Sequence, residues 1–162
     1  MIKTKIALLI IIIAAVVTGC NSGDDSPCLL PQTTYLRIGT YQNSDTSNAI
    51  FDTALPKPVW IAIDSGVIIQ YAAKSNKFAL TLSPLADSCR YVLQPDSAIQ
   101  SYDTLVFYYE KNEQFLSTAC GYTYFYNLLS LKTSFNNIDS AVIKNPVVNN
   151  DVNTQEHLQI FF

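Results

Sequence analysis

Apolar and polar positions along the chain fall into two regimes. Ile6 to Val17 is an unbroken apolar run of twelve residues, too short for a helix that crosses a bilayer, which needs about 20. From Thr33 onward, short runs rich in Val, Ile, Thr, Tyr and Phe are separated by turn residues. Thr33 to Tyr41 has a period of two, with Leu36, Ile38 and Thr40 on one face and Tyr35, Arg37 and Gly39 on the other. Val59 to Ile63 and Val67 to Tyr71 flank the turn sequence Asp64-Ser65-Gly66. Further strands are expected over 77–82, 90–94, 104–109, 114–118, 121–134, 140–144 and 157–162. Tyr108 to Gln114 reads as a hairpin turn, and Gln42 to Pro58, with many small polar residues, as the longest loop. Beyond the first apolar run no window of twelve carries a helical period. The pattern predicts an all-β chain forming a single antiparallel β-sandwich, Ig-like or transthyretin-like, of about 7–10 strands.

The start of the chain is a different kind of segment. Lys3 and Lys5 precede the apolar run, and Val17-Thr18-Gly19-Cys20 follows it. A charged start, a short apolar core and small residues before a cleavage point form a secretion leader. The last four residues resemble the bacterial lipobox, in which the cysteine thiol takes a diacylglycerol before cleavage just ahead of it. The expected organisation is a leader over 1–19, the lipidated Cys20 with a flexible tether over 20–32, and a sandwich over 33–162. The tether holds Asp24-Asp25, which resembles the acidic signal that sends some lipoproteins of Bacteroidota-type bacteria to the cell's outer face. A solvated linker would carry acids anyway. The expected location is therefore a lipid anchor in the envelope, at the outer membrane, with the periplasmic and surface faces both open.

Charge narrows the partners. Setting Lys3 and Lys5 aside leaves 8 basic against 13 acidic side chains with no basic cluster, a poor match for nucleic acid or anionic headgroups. Attachment would rest on acyl chains.

Beyond Cys20 stand three cysteines, Cys28, Cys89 and Cys120. An oxidising compartment favours one disulfide and leaves one cysteine over. A Cys28–Cys120 bond would staple the start of the domain to the strand opening at Gly121, with an upper chain-entropy gain of about 4–5 kcal/mol. Cys89 reads as a small buried side chain. No C-x-x-C is present and His157 is the only histidine, so neither a metal site nor a cofactor is expected. His157 reads as a structural residue of the last strand.

Two patterns carry candidate chemistry. Tyr122, Tyr124 and Tyr126 share one strand face, the other holding Thr123, Phe125 and Asn127. An exposed row of tyrosines would stack on sugar rings. The competing expectation is that the row packs between the sheets and the Thr/Phe/Asn face meets solvent. The second pattern is that 8 of 10 aspartates are followed by Ser or Thr. Four continue with Ala or Leu, making Thr53, Ser97, Thr104 and Ser140 candidate O-glycosylation acceptors of the D-[ST]-aliphatic kind, which belong on loops or edges. The alternative is that Asp-Ser and Asp-Thr mark turn-to-strand junctions through local side-chain bonds.

Several segments together resemble one family. They are the lipobox, Asp-Asp and Pro27-Cys28, then Tyr35-Leu36-Arg37-Ile38, Leu82-Ser83-Pro84-Leu85, Asp103 to Tyr108, Cys120-Gly121-Tyr122, Val148-Asn149-Asn150 and His157 to Ile160. The chain resembles a small lipoprotein family of Bacteroidota-type bacteria that carries only a domain-of-unknown-function label. Cysteines matching Cys28 and Cys120 recur there, which agrees with the pairing above. Cys89 lies outside the pattern, and the resemblance implies no activity. The expectation is a non-catalytic envelope lipoprotein presenting a β-sandwich surface to another envelope protein or to an assembly. The alternative is a surface module that binds a glycan or small ligand through its aromatic patch.

Overall fold

The computed structural model describes residues 27–43, 49–151 and 155–162. The segment 1–19 read as a leader, Cys20 and the Asp24-Asp25 pair lie outside the described residues. Within them the chain forms two sheets and no helix.

The first sheet is built around β1 (Leu36–Asn43). Its first half pairs antiparallel with β5 (Lys77–Leu80), and its second half with β2 (Ile50–Asp52). Its other edge takes β11 (Leu158–Phe161), which continues to β9 (Ser140–Ile143). The second sheet runs in the order β10 (Val147–Val148), β8 (Gly121–Thr133), β7 (Asp103–Ser117), β6 (Ser88–Gln94), β3 (Val59–Ala62), β4 (Ile68–Gln70). Inward residues follow the period of two. Leu36 and Ile38, Phe78 and Leu80, and Leu158 and Ile160 come from the first sheet. Trp60, Tyr91, Leu93, Leu105, Phe107, Tyr109, Tyr126 and Leu128 come from the second. Trp60 meets Phe78 across the two sheets at 5.7 Å between ring centroids. The fold is thus the expected all-β sandwich.

Four details depart from the sequence reading. The sandwich is not purely antiparallel, because β1 and β11 run parallel, with Ile38 opposite Leu158 and Thr40 opposite Ile160. The described residues hold eleven strands. The two extra ones, β2 and β10, have three and two residues, too few to show a period; β2 lies inside the stretch read as a loop. The hairpin turn expected over 108–114 is instead the middle of β7, a single strand of 15 residues. Its polar residues signalled a turn because this part of β7 runs beyond β6 and meets water on both faces. The true reversal is Thr118-Ala119-Cys120-Gly121, with Gly121 at φ 69°. Lastly, a β-bulge opposite Tyr108/Tyr109 changes the parity of β8, so Tyr126 and Leu128 point inward before it and Leu131 after it. This leaves Leu129 on the surface.

At the base of β7 sits a fully buried carboxylate. Asp103 accepts bonds from the Ser134 hydroxyl (2.9 Å), the Asn136 and Asn137 amides (2.5 and 2.8 Å), the Asn137 side chain (2.9 Å) and the Ile138 amide (3.3 Å). Burial acts to raise its pKa, but these donors outweigh it and hold the carboxyl below its ordinary value. The loop they organise includes Phe135 at φ 56°, a conformation that costs a bulky residue energy and needs such support. Replacing Asp103 by Ala strands the buried Ile138 amide and several part-buried donors. The expected loss is about 2–4 kcal/mol in urea unfolding at pH 7. The penalty should shrink as pH falls below about 4, where the unfolded wild-type chain takes up the proton first, and go on shrinking as pH passes through the lower folded pKa.

Candidate functional site

The tyrosine row of β8 passes from core to solvent. Tyr126 is buried and donates to the Leu82 carbonyl (3.1 Å). Tyr124 is half-buried against the core, and Tyr122 is exposed, 5.2 Å from Phe115 across the hairpin. The opposite face is not the wet one expected. Thr123 is buried because the segment Pro31–Thr34 lies alongside β8. Thr123 donates to the Gln32 carbonyl, Thr34 to the Tyr124 carbonyl, and the Gln32 amide to the Cys120 carbonyl. Between this segment and Thr81–Pro84 lies an open groove of about 410 Å³ lined in part by Thr33, Pro84, Tyr122 and Tyr124. It is a shallow trough with tyrosines on one wall and Thr33 and Thr34 on another, a shape suited to a flat polar ligand.

The disulfide joins Cys28 to Cys120 across 92 residues. Cys89 remains a buried free thiol beside Tyr109, and burial pushes its pKa up to about 11. A thiol held protonated in this way is a poor nucleophile at neutral pH.

Sequence reasoning missed a polar cluster on the outer face of the first sheet. Lys77 pairs with Glu156 and donates to the Tyr41 hydroxyl (2.8 Å), which also bonds Glu156. Burial opposes the charge on both ionic partners. The bonds to each other and to Tyr41 nevertheless raise the pKa of Lys77 and lower that of Glu156. Gly39 makes room for the cluster, since a Cβ there would lie 2.7 Å from Glu156 Cδ and 2.8 Å from the Tyr41 ring. Beside it a cavity of about 630 Å³ is lined by Arg37, Tyr71, Lys77, Phe78 and Glu156 among others. Its members come from strands far apart in sequence, so the one legible signal was a glycine inside an alternating strand.

The acceptor candidates separate by position. Ser97 is exposed in a loop, Thr53 follows edge strand β2, and Ser140 opens edge strand β9. Thr104 lies in β7 between two neighbouring strands, opposite Val92. Side-chain bonds engage three of the aspartates, and only the one at Asp96 is local in sequence. Asp96 accepts from the Ala98 amide (2.9 Å), Asp64 from the backbone and guanidinium of Arg90, and Asp103 holds its loop.

His157 is buried, and its Nδ1 accepts the Arg37 amide (2.8 Å) while the ring also bonds the Val147 backbone. Burial and the Arg37 charge lower its pKa. The unfolded chain therefore takes up a proton first as pH falls below about 6.5, and stability is lost toward the lower folded pKa. The urea midpoint should fall between pH 7 and 5, and His157→Gln should flatten that slope. An unchanged slope in the variant would place the titration elsewhere.

Residues 58–162 match the model of a family described only as one of unknown function (DUF6452). No curated protein and no solved structure matches the chain.

Proposed function

From the premise that the chain belongs to the DUF6452 family, to which no activity is attached, we propose that it is a non-catalytic envelope lipoprotein. In this reading Cys20 carries the lipid and the sandwich is a rigid body presented to an envelope partner. The carrying observation is the joint at its base. Eight residues after the lipobox cysteine, Cys28 is bonded to Cys120 at the turn of the longest hairpin. Tension on a tether would reach a covalent bond and two long strands rather than a fraying end. The side chains with reactive chemistry support the reading too. Cys89, His157 and Asp103 are each buried and engaged in bonds that hold the fold.

Cell fractionation tests the anchor. The native protein should partition with membranes, require detergent for release and incorporate labelled palmitate, whereas Cys20→Ala should lose the label and appear in the soluble fraction. A variant that stays with the membrane to the same extent refutes the reading. Protease shaving of intact against lysed cells then assigns the face.

The aromatic groove favours a second reading, a glycan or small-ligand module. Tyr122→Ala should leave the unfolding free energy within about 0.5 kcal/mol of wild type, as for exposed positions. If the groove binds sugars, the same variant should abolish retention on immobilised oligosaccharides. Equal retention of variant and wild type rejects this reading.

A further inference from the structure

We propose that the hairpin turn and the segment leading into β1 form a lipid-facing foot, which rests on the bilayer that holds Cys20. The proposal rests on the anchored reading above and adds a second, non-covalent contact to it. Pro27, Leu29 and Leu30 share a hollow with Ser117–Cys120 at the turn. Phe115 and Tyr122 form the next cross-strand pair back from it. Leu29 is 88% exposed, Leu30 48%, Phe115 55% and Tyr122 66%. Four large apolar or aromatic side chains so exposed at one end form a patch that water disfavours.

Charge and chain length identify what covers it. No charged side chain occurs over residues 27–36 or 114–131, although the protein as a whole is acidic. A protein partner recognised by ion pairs has nothing to grip here, while an uncharged lipid interface does not need them. Tyrosine and phenylalanine beside leucine are the side chains that settle at headgroup depth. The chain before Pro27 leads toward Cys20, and the eight residues from Cys20 to Cys28 span at most about 29 Å when extended. A lipid on Cys20 therefore keeps this end close to the bilayer, where a weak patch is driven onto it by a high effective concentration. The disulfide fixes Leu29 and Leu30 against the turn, so the two halves of the foot act together.

The test separates the foot from the anchor. The chain from Cys20 onward is coupled through the Cys20 thiol to maleimide lipids in phosphatidylcholine vesicles with brominated acyl chains. Coupling supplies the tether whether or not cells acylate Cys20, and Cys89 is buried away from the reagent. A tryptophan is placed at Phe115, and in a second protein at Phe135, exposed about 35 Å along the same strands. The native Trp60 is fully buried and reports folding. Phe115→Trp should be quenched several-fold more than Phe135→Trp, and the difference should vanish when Leu29, Leu30 and Tyr122 are changed to Ser. Equal quenching at the two positions overturns the proposal. So does a blue shift of Phe115→Trp with protein concentration before any vesicle is added, which would mean that a second copy covers the patch. Failure of Cys20→Ala to leave the membrane in cells would bear on the anchor alone.

Discussion

The sandwich depends on satisfying the backbone of one short segment. The segment is 79–83, the end of β5 on the edge away from β1 and the first residues by which the chain leaves for β6 in the second sheet. Its outward amides and carbonyls have no strand partner and are partly buried, and each such group left unpaired would cost about 1–3 kcal/mol. Four tyrosines meet this demand. Tyr71 donates to the Ala79 carbonyl (2.7 Å) and accepts from its amide (2.9 Å). Tyr91 donates to Thr81 (2.7 Å), Tyr126 to Leu82 (3.1 Å), and Tyr109 to Ser83 (3.0 Å) while accepting its amide (3.1 Å). Tyrosine suits the task because the ring fills the core and the hydroxyl reaches the far sheet. The same network leaves Cys89 its place, as the small side chain beside the Tyr109 hydroxyl.

With these tyrosine hydroxyls, Asp103 and His157 committed to the fold, recognition is left to the outer faces and the two ends, which differ in kind. The outer face of the first sheet carries the Tyr41–Lys77–Glu156 cluster laid over Gly39. One end of the long hairpin is uncharged and covalently stapled to the start of the domain. The other is held by the Asp103 carboxylate, with Phe135 exposed beside it. A molecule anchored at its uncharged end would present the Asp103 loop and the outer face away from the anchor. That asymmetry gives the proposed lipoprotein a direction.

Sequence periodicity was a good guide where a strand has one wet and one dry face. Leu36, Ile38 and Thr40 on one side, with Arg37 and Gly39 on the other, follow directly from it, and Asp64-Ser65-Gly66 is a turn with Gly66 at φ 70°. It failed for three physical reasons. The middle of β7 is wet on both faces, so its polar residues imitate a turn. The β8 bulge resets the parity, which no alternating pattern announces. Thr123 is dry because of Pro31–Thr34, some ninety residues earlier, where the Gln32 carbonyl accepts from Thr123 and the Thr34 hydroxyl donates to the Tyr124 carbonyl. The polar cluster was hidden for the same reason, since its three members are joined only when β1, β5 and the approach to β11 come together.

The parallel pairing of β1 with β11 bears on what counts as the folding unit. Strands β3, β4, β6, β7 and β8 pair largely with near neighbours in sequence, so the second sheet needs only short loop closures. The first sheet cannot close until β11 reaches β1, with Ile38 opposite Leu158 across 120 residues. Such long-range pairing is slow because closure entropy is lost before contacts form. The family match begins at residue 58 and so omits β1 and β2. A chain starting there would leave β11 and β5 without the strand between them, with Leu158, Ile160 and Leu80 uncovered at an open edge. His157 would also lose the Arg37 amide that its ring accepts. The matched span is therefore part of a larger structural unit. What completes it is the segment that begins at Pro31, bonded along β8 on one side and continuing into the centre of the first sheet on the other.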